Sequence, residues 1–172
     1  EKKAIDERYF VLVTGTDRTG ESAYSDEFIL ANGTLIVPPT AINDAFSLAE
    51  DTTLSGSLTN NDIPSLGSTL SLVTTPISMP SQGSVSLNSD GTFEYVPAAN
   101  VTGVDHFVYQ IISPEGYTSE ASVSLTITPV NDAPSATDDH FVITDETLTV
   151  ATPGLLANDT DLDGDALSVQ LS

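Results

Sequence analysis

Residues 158–167 read NDTDLDGDAL and set aspartates at alternate positions: Asp159, Asp161, Asp163 and Asp165. Four like charges this close repel one another, and a compact loop is disfavoured unless a cation offsets them. A solvated turn between strands needs one or two such residues, not four. The chemistry that uses carboxylates at this spacing is oxygen ligation of a hard cation. Ca²⁺ takes roughly six to eight oxygen ligands, and alternate side chains of a curved loop can converge on one ion. Gly164 is expected to let the loop turn where a side chain would obstruct it. Mg²⁺ resists dehydration and rarely occupies such carboxylate sets.

The run DTDLDGD fits the first seven positions of a helix–loop–helix calcium site. Position twelve then falls on Gln170, which offers no bidentate carboxylate. The flank ALSVQL reads as a strand, so the calcium loop is expected between strands.

Charge supports cation binding and excludes much else. The net charge is −21, and all four basic residues, Lys2, Lys3, Arg8 and Arg18, precede Thr19. Such a chain cannot neutralise phosphates, so nucleic acid is excluded as a partner. Anionic membrane surfaces would repel it, and no apolar run is long enough for a membrane helix. Hydrophobic content is 39%, enough to bury a core, and there is no cysteine. Disulfide scaffolds and thiol chemistry are thereby ruled out.

Catalysis is not expected. The two histidines, His106 and His140, are isolated and read as surface residues. No nucleophile elbow, phosphate loop or zinc motif is present.

The elements that must position the acidic run follow from an internal repeat. AINDAF (41–46) matches ATDDHF (136–141). LTNNDIPSLGSTLSL (58–72) matches LLANDTDLDGDALSV (155–169), pairing Asn61, Asp62 and Gly67 with Asn158, Asp159 and Gly164. A period near 95 residues suits a β-sandwich domain. Period-two runs fill the first copy: Phe46 and Leu48; Leu54 and Leu58; Leu70 and Leu72; Val85 and Leu87; Phe93 and Tyr95; Phe107, Tyr109 and Ile111; Ala121, Val123, Leu125 and Ile127. NSDG (88–91) and SPEG (113–116) read as turns between them. That makes about seven strands and essentially no helix.

The expected fold class is all-β: tandem immunoglobulin-like sandwiches, one complete and two partial. Residues 1–39 read as closing strands of one domain, with a DRTGE turn at 17–21. Residues 40–132 read as a complete sandwich, and 133–172 as the first two or three strands of the next. The whole reads as a slice of a longer chain. A subunit whose tail completes the head of another copy, building a fibre by strand exchange, is the other reading of the two partial ends.

Residues 9–30 resemble the closing strands of fibronectin type III domains. PVNDAP (129–134), AEDT (49–52), DGTFEYVP (90–97) and ANDTDLDGDAL together resemble bacterial cadherin-like tandem repeats (the tandem-95 type), over residues 41–172. That resemblance implies a calcium-dependent, secreted or cell-surface adhesin of a Gram-negative bacterium. It also implies a joint between domains in which Asn131 and Asp132 form the linker element. Asp159 and Asp161 match the D-x-D, extended by Asp163 and Asp165, and Glu50 or its neighbour Asp51 is the acid of the preceding domain. Asp138 and Asp139 lie near the linker.

In the first copy Asp161, Asp163 and Asp165 correspond to Pro64, Leu66 and Ser68. The joint near residue 40 is therefore expected to bind calcium weakly or not at all, and replacing Asp62 is expected to do little. The expected function is a calcium-stiffened structural extender. Its partners are neighbouring domains of the same chain, with homophilic or fibre contacts as a further option. A glycan-binding module and an accessory domain of a secreted enzyme are the alternatives; Tyr24 and Tyr117, near turns, are too isolated to form an aromatic glycan platform.

Overall fold

The computed structural model describes residues 7–12, 25–31, 34–65, 68–143 and 147–170. The DRTGE turn, Tyr24, Leu66 and Gly67 lie outside them. The chain divides into two compact units, Glu1–Pro129 and Val130–Ser172.

The first unit opens with a three-stranded antiparallel sheet, β1 (Glu7–Leu12), β2 (Ser25–Ala31) and β3 (Thr34–Ile36), in that order. The sequence pattern anticipates the first two strands and misses the third, whose three residues are too short to show a period.

Seven strands follow: β4 (Asp44–Ala49), β5 (Leu54–Ser57), β6 (Ser71–Leu72), β7 (Gly83–Leu87), β8 (Thr92–Pro97), β9 (Gly103–Ile112) and β10 (Thr118–Thr128). They form two sheets, ordered β4-β10-β9-β6 and β5-β8-β7. All pairings are antiparallel except β4 with β10, which run parallel with Asp44 opposite Val123. The expected immunoglobulin-like β-sandwich is what forms.

Alternation drives the assembly. Along β10 Ala121, Val123, Leu125 and Ile127 are buried while most of the residues between them face solvent. Phe93 and Tyr95 of β8 do the same opposite them. Leu58 and Leu70 pack inward from just outside β5 and β6. Phe93 bridges Phe46 and Phe107, with ring centroids 5.0 and 6.1 Å away in tilted arrangements. Each fully buried large side chain contributes about 2 kcal/mol by leaving water. The turns at 88–91 and 113–116 close with Gly91 N–H to Asn88 O and Gly116 N–H to Ser113 O.

One member of the inward row of β9 is not apolar. Asp105 is 1% exposed. Its carboxylate accepts from the backbone N–H of Ser81, Gln82 and His106, the Ser81 hydroxyl and the Tyr95 hydroxyl, all at 2.8–3.0 Å. Burial alone would raise its pKa, but the N–H groups of Ser81 and Gln82, the Tyr95 hydroxyl and the His106 N–H outweigh it and hold it below the ordinary 3.8. Gly83 is part of this arrangement. A Cβ there would stand 2.5 Å from Val96 O and 2.7 Å from the Tyr95 ring.

The second unit contains no strand among its described residues. It has an isolated bridge between Ser135 and Thr160 and one turn of 3-10 helix, Gly154–Leu156. The residues expected to be strands there form no ladder among the described residues. In the first unit β4 is held by β10 and β5 by β8, and residues 133–172 contain no counterpart of either. A strand needs a partner to satisfy its backbone. Phe141, Val142 and Ile143 are accordingly exposed.

Replacing Asp105 with Ala strands five donors. It is expected to lower the midpoint of urea unfolding at unchanged slope, by an amount equivalent to about 3 kcal/mol. Because the folded pKa lies below the unfolded one, the wild-type advantage is complete above pH 3.8 and shrinks as pH falls through the folded value.

Candidate functional site

The second unit gathers six of the seven expected ligands. Gly164 has φ +78° and donates its N–H to Asp161 O at 3.3 Å, closing the turn that the sequence anticipates. The Asp161 carboxylate accepts the N–H groups of Asp163 and Asp165, both at 3.0 Å, through Oδ1. Asp163 reaches back, its Oδ2 accepting the Asp132 N–H at 2.6 Å. The linker pair and the acidic run, about thirty residues apart in sequence, are thus bonded to one another. Asn131 donates its side-chain amide to Asp132 O. A cleft of about 310 Å³ opens there, lined by Asn131, Asp159, Asp161 and Asp165 with Pro134 and Ser135.

Asp159 has a further duty. Its Oδ1 accepts the Thr137 N–H at 2.8 Å, and the adjacent Asn158 amide donates to the carbonyls of Thr137 and Asp138. The bridge between Ser135 and Thr160 flanks this clamp.

The first unit repeats it bond for bond. Asp62 Oδ1 accepts the Ile42 N–H at 2.7 Å, Asn61 donates to the carbonyls of Ile42 and Asn43, and Thr40 bridges Ile63. The Asn-Asp pair shared by the two copies therefore ties the entering strand to the turn after the second. Asp62, expected to matter little for calcium, has a structural place of its own. It is 9% exposed, and the Tyr109 hydroxyl lies 3.1 Å from its Oδ1. The sequence signal was available, since the pair is the part of the run that both copies keep.

Glu50, the seventh expected ligand, belongs to the other unit. It follows β4 and is 5% exposed. Its N–H donates to Thr128 O, at the end from which the chain leaves β10. Asp51 beside it has φ +57° and accepts the Asn100 N–H. Among the described residues no three carboxylate or histidine side chains form a ready-made metal cluster. In this arrangement the aspartates hold backbone N–H groups. The donor set nevertheless suits a hard cation, being oxygen throughout and edging an open cleft. His106 and His140 are exposed.

The family model described as a bacterial Ig domain matches residues 37–126, the seven-stranded sandwich with its clamp. The chain belongs to that family. No curated protein matches it. Bacterial Ig domains are generally structural and non-catalytic, and are usually extracellular or surface-exposed. No helix among the described residues is long and apolar enough to cross a membrane.

The two kinds of aspartate predict different variants. Asp62→Ala leaves the Ile42 N–H without its acceptor, though the Tyr109 hydroxyl keeps Asp44, and is expected to cost about 2 kcal/mol. Asp163→Ala in calcium-free solution is expected to cost no more than about 0.5 kcal/mol. Denaturant unfolding separates them, followed for the first unit by the fluorescence of the buried Tyr95 and Tyr109 and for the second, which holds no tyrosine, by amide hydrogen exchange.

Proposed function

We propose that the chain is a non-catalytic extender segment of a long bacterial cell-surface or secreted adhesin, of the cadherin-like tandem-repeat type, stiffened at one joint by calcium. The observation that carries this reading is the bond from the Asp132 N–H to Asp163, which draws the linker to the acidic run. Residues 131–165 would supply the ligands: Asn131, Asp132, Asp159, Asp161, Asp163 and Asp165. Glu50, on the end of the sandwich from which the chain continues, would complete the set from the preceding domain. The ion would neutralise carboxylates that have no lysine or arginine to answer them anywhere beyond Arg18.

The chain's own part is to order these groups beforehand. Asp161 folds its turn around the N–H groups of Asp163 and Asp165, so little loop entropy remains to be lost when a cation arrives. Extracellular modules of this kind bind calcium at roughly 0.1 to 1 mM, which fills the joint outside the cell and empties it in the cytosol. Repetition of a sandwich gives length, and a metal at the joint gives stiffness. The first copy, with Pro64 and Ser68 where the second has aspartates, would have a metal-free joint stiffened by Pro38 and Pro39.

Calorimetric titration of the chain with CaCl₂, paired with small-angle scattering, tests this reading. Calcium is expected to bind in that range and to narrow the distribution of particle lengths. Asp161→Asn combined with Asp163→Asn is expected to remove the heat of binding and reproduce the scattering seen with chelator. Absence of binding heat, with identical scattering in calcium and chelator, would sink the calcium joint.

A further inference from the structure

The hydroxyl of Tyr109 stands where oxygen acceptors outnumber hydrogens. Around it lie Asp44 Oδ2 at 3.0 Å, Asp62 Oδ1 and Oδ2 at 3.1 and 3.3 Å, and the carbonyl oxygens of Ile42 and Leu58 at 3.1 and 3.3 Å. A phenol has one proton to give. Few other donors are near: the Ile42 N–H goes to Asp62, and the Asn61 amide is shared between the carbonyls of Ile42 and Asn43 and the Asp44 carboxyl. With both carboxylates ionised, at least one faces the phenol oxygen acceptor to acceptor. Tyr109 is 0% exposed, so water cannot readily relieve the conflict.

Residues 34–170 supply no lysine or arginine to relieve it either. Asp44 faces the hydroxyl from β4, Asp62 from the 58–63 turn, and Tyr109 itself comes from β9. From β10 the residue opposite Asp44 is Val123, and Glu120 is turned to the Gln110 amide at the exposed side. No lysine or arginine occurs after Arg18.

We propose that Asp44, Asp62 and Tyr109 form a proton latch: one proton shared by the two carboxyl groups ties residues 40–44 to the 58–63 turn, and its loss loosens that tie. The electrostatics agree in direction. Asp44 is raised by desolvation, lowered by its Tyr109 bond, raised again by the charge of Asp62 and lowered by the Asn61 amide, with a net shift upward from 3.8. Desolvation raises Asp62 too, against the Ile42 N–H and the Tyr109 hydroxyl. For carboxyl groups with raised folded pKa values, the stabilisation is complete below the unfolded value of 3.8. It is lost as pH rises through the folded value. The bonds at stake are the pair between Thr40 and Ile63, which fix the segment entering the sandwich. Mild acid would hold that segment tightly, and neutral solution would let it open. The latch uses none of the acids of residues 131–165, so it stands or falls apart from the calcium joint.

The test is carboxyl ¹³C NMR of the whole chain in chelator from about pH 3 to about pH 8, with amide hydrogen exchange over the same range. Asp44 or Asp62 is expected to titrate above the ordinary aspartate value. The Thr40 and Ile63 amides, corrected for intrinsic exchange rate, are expected to lose protection at that same midpoint. Asp44→Asn supplies permanently the hydrogen that the proton brings. It should keep both amides protected across the range and lower the midpoint of Asp62. Titration of both carboxyl groups at or below the ordinary value would overturn the latch, as would amide protection indifferent to pH. So would loss of the pH dependence on adding NaCl or CaCl₂, which would make the cluster a cation site. The wild-type titration decides the matter even if the variant does not fold.

Discussion

One carboxylate accepting one backbone N–H sets the frame of this molecule. The strand that enters the sandwich lies at a sheet edge and runs parallel to β10. An edge strand held by one ladder can slip, and a slip of one residue would turn Phe46 and Leu48 outward. Asp62 prevents it by fixing the Ile42 N–H just before the ladder starts at Asp44. Asn61 secures the neighbouring carbonyls, and from β10 the Ser119 hydroxyl and the Ser122 N–H bind Ala41 and Asn43. With the register set, Phe46 meets Phe93 and the two sheets close on one core. The second unit carries the same clamp at Asp159 without a completed sandwich around it. The same clamp thus recurs in both units.

A chain with almost no cations must house its buried acids by other means. Asp105 is met by five N–H and O–H donors and is held ionised. Asp44 and Asp62 have too few donors for their number of oxygens, and both are shifted the opposite way. The contrast is a matter of counting hydrogens, since desolvation pushes all three in the same direction. The aspartates of residues 159–165 use the same device at the surface, taking backbone N–H groups and so giving their loop a fixed shape.

The sandwich was legible because burial at alternate positions writes itself into the sequence. Each apolar period-two run marks a strand, or, for Leu58 and Leu70, the residue beside one. The interior polar groups were harder to read. Asp105 sits two residues before Phe107, in phase with the buried row, and phase alone would have placed it inside. What the sequence does not display is the set of donors from residues 81, 82 and 95 that makes burial tolerable. The structural bond of Asp62 was hard to see because its twin belongs to a run with an evident chemistry of its own. The strands expected after Ala136 failed to form for a reason outside their own sequence. Alternation makes a strand competent to pair and cannot supply the partner.

The clamp also separates what the fold requires from what has been added to it. Both copies keep Asn and Asp in the same places, make the same three bonds and bridge the same two backbone positions. Both sequences then depart from one another at the next residues, where one continues DTDLDGD and the other DIPSLGS. If the whole acidic run served the fold, the copy with the complete sandwich would be the one to need it. That copy closes its sheets with Pro64 and Ser68 at those places. Asp161, Asp163 and Asp165 are thus not needed to close a sandwich of this kind, and in this copy Asp161 and Asp163 shape their own loop and its link to Asp132.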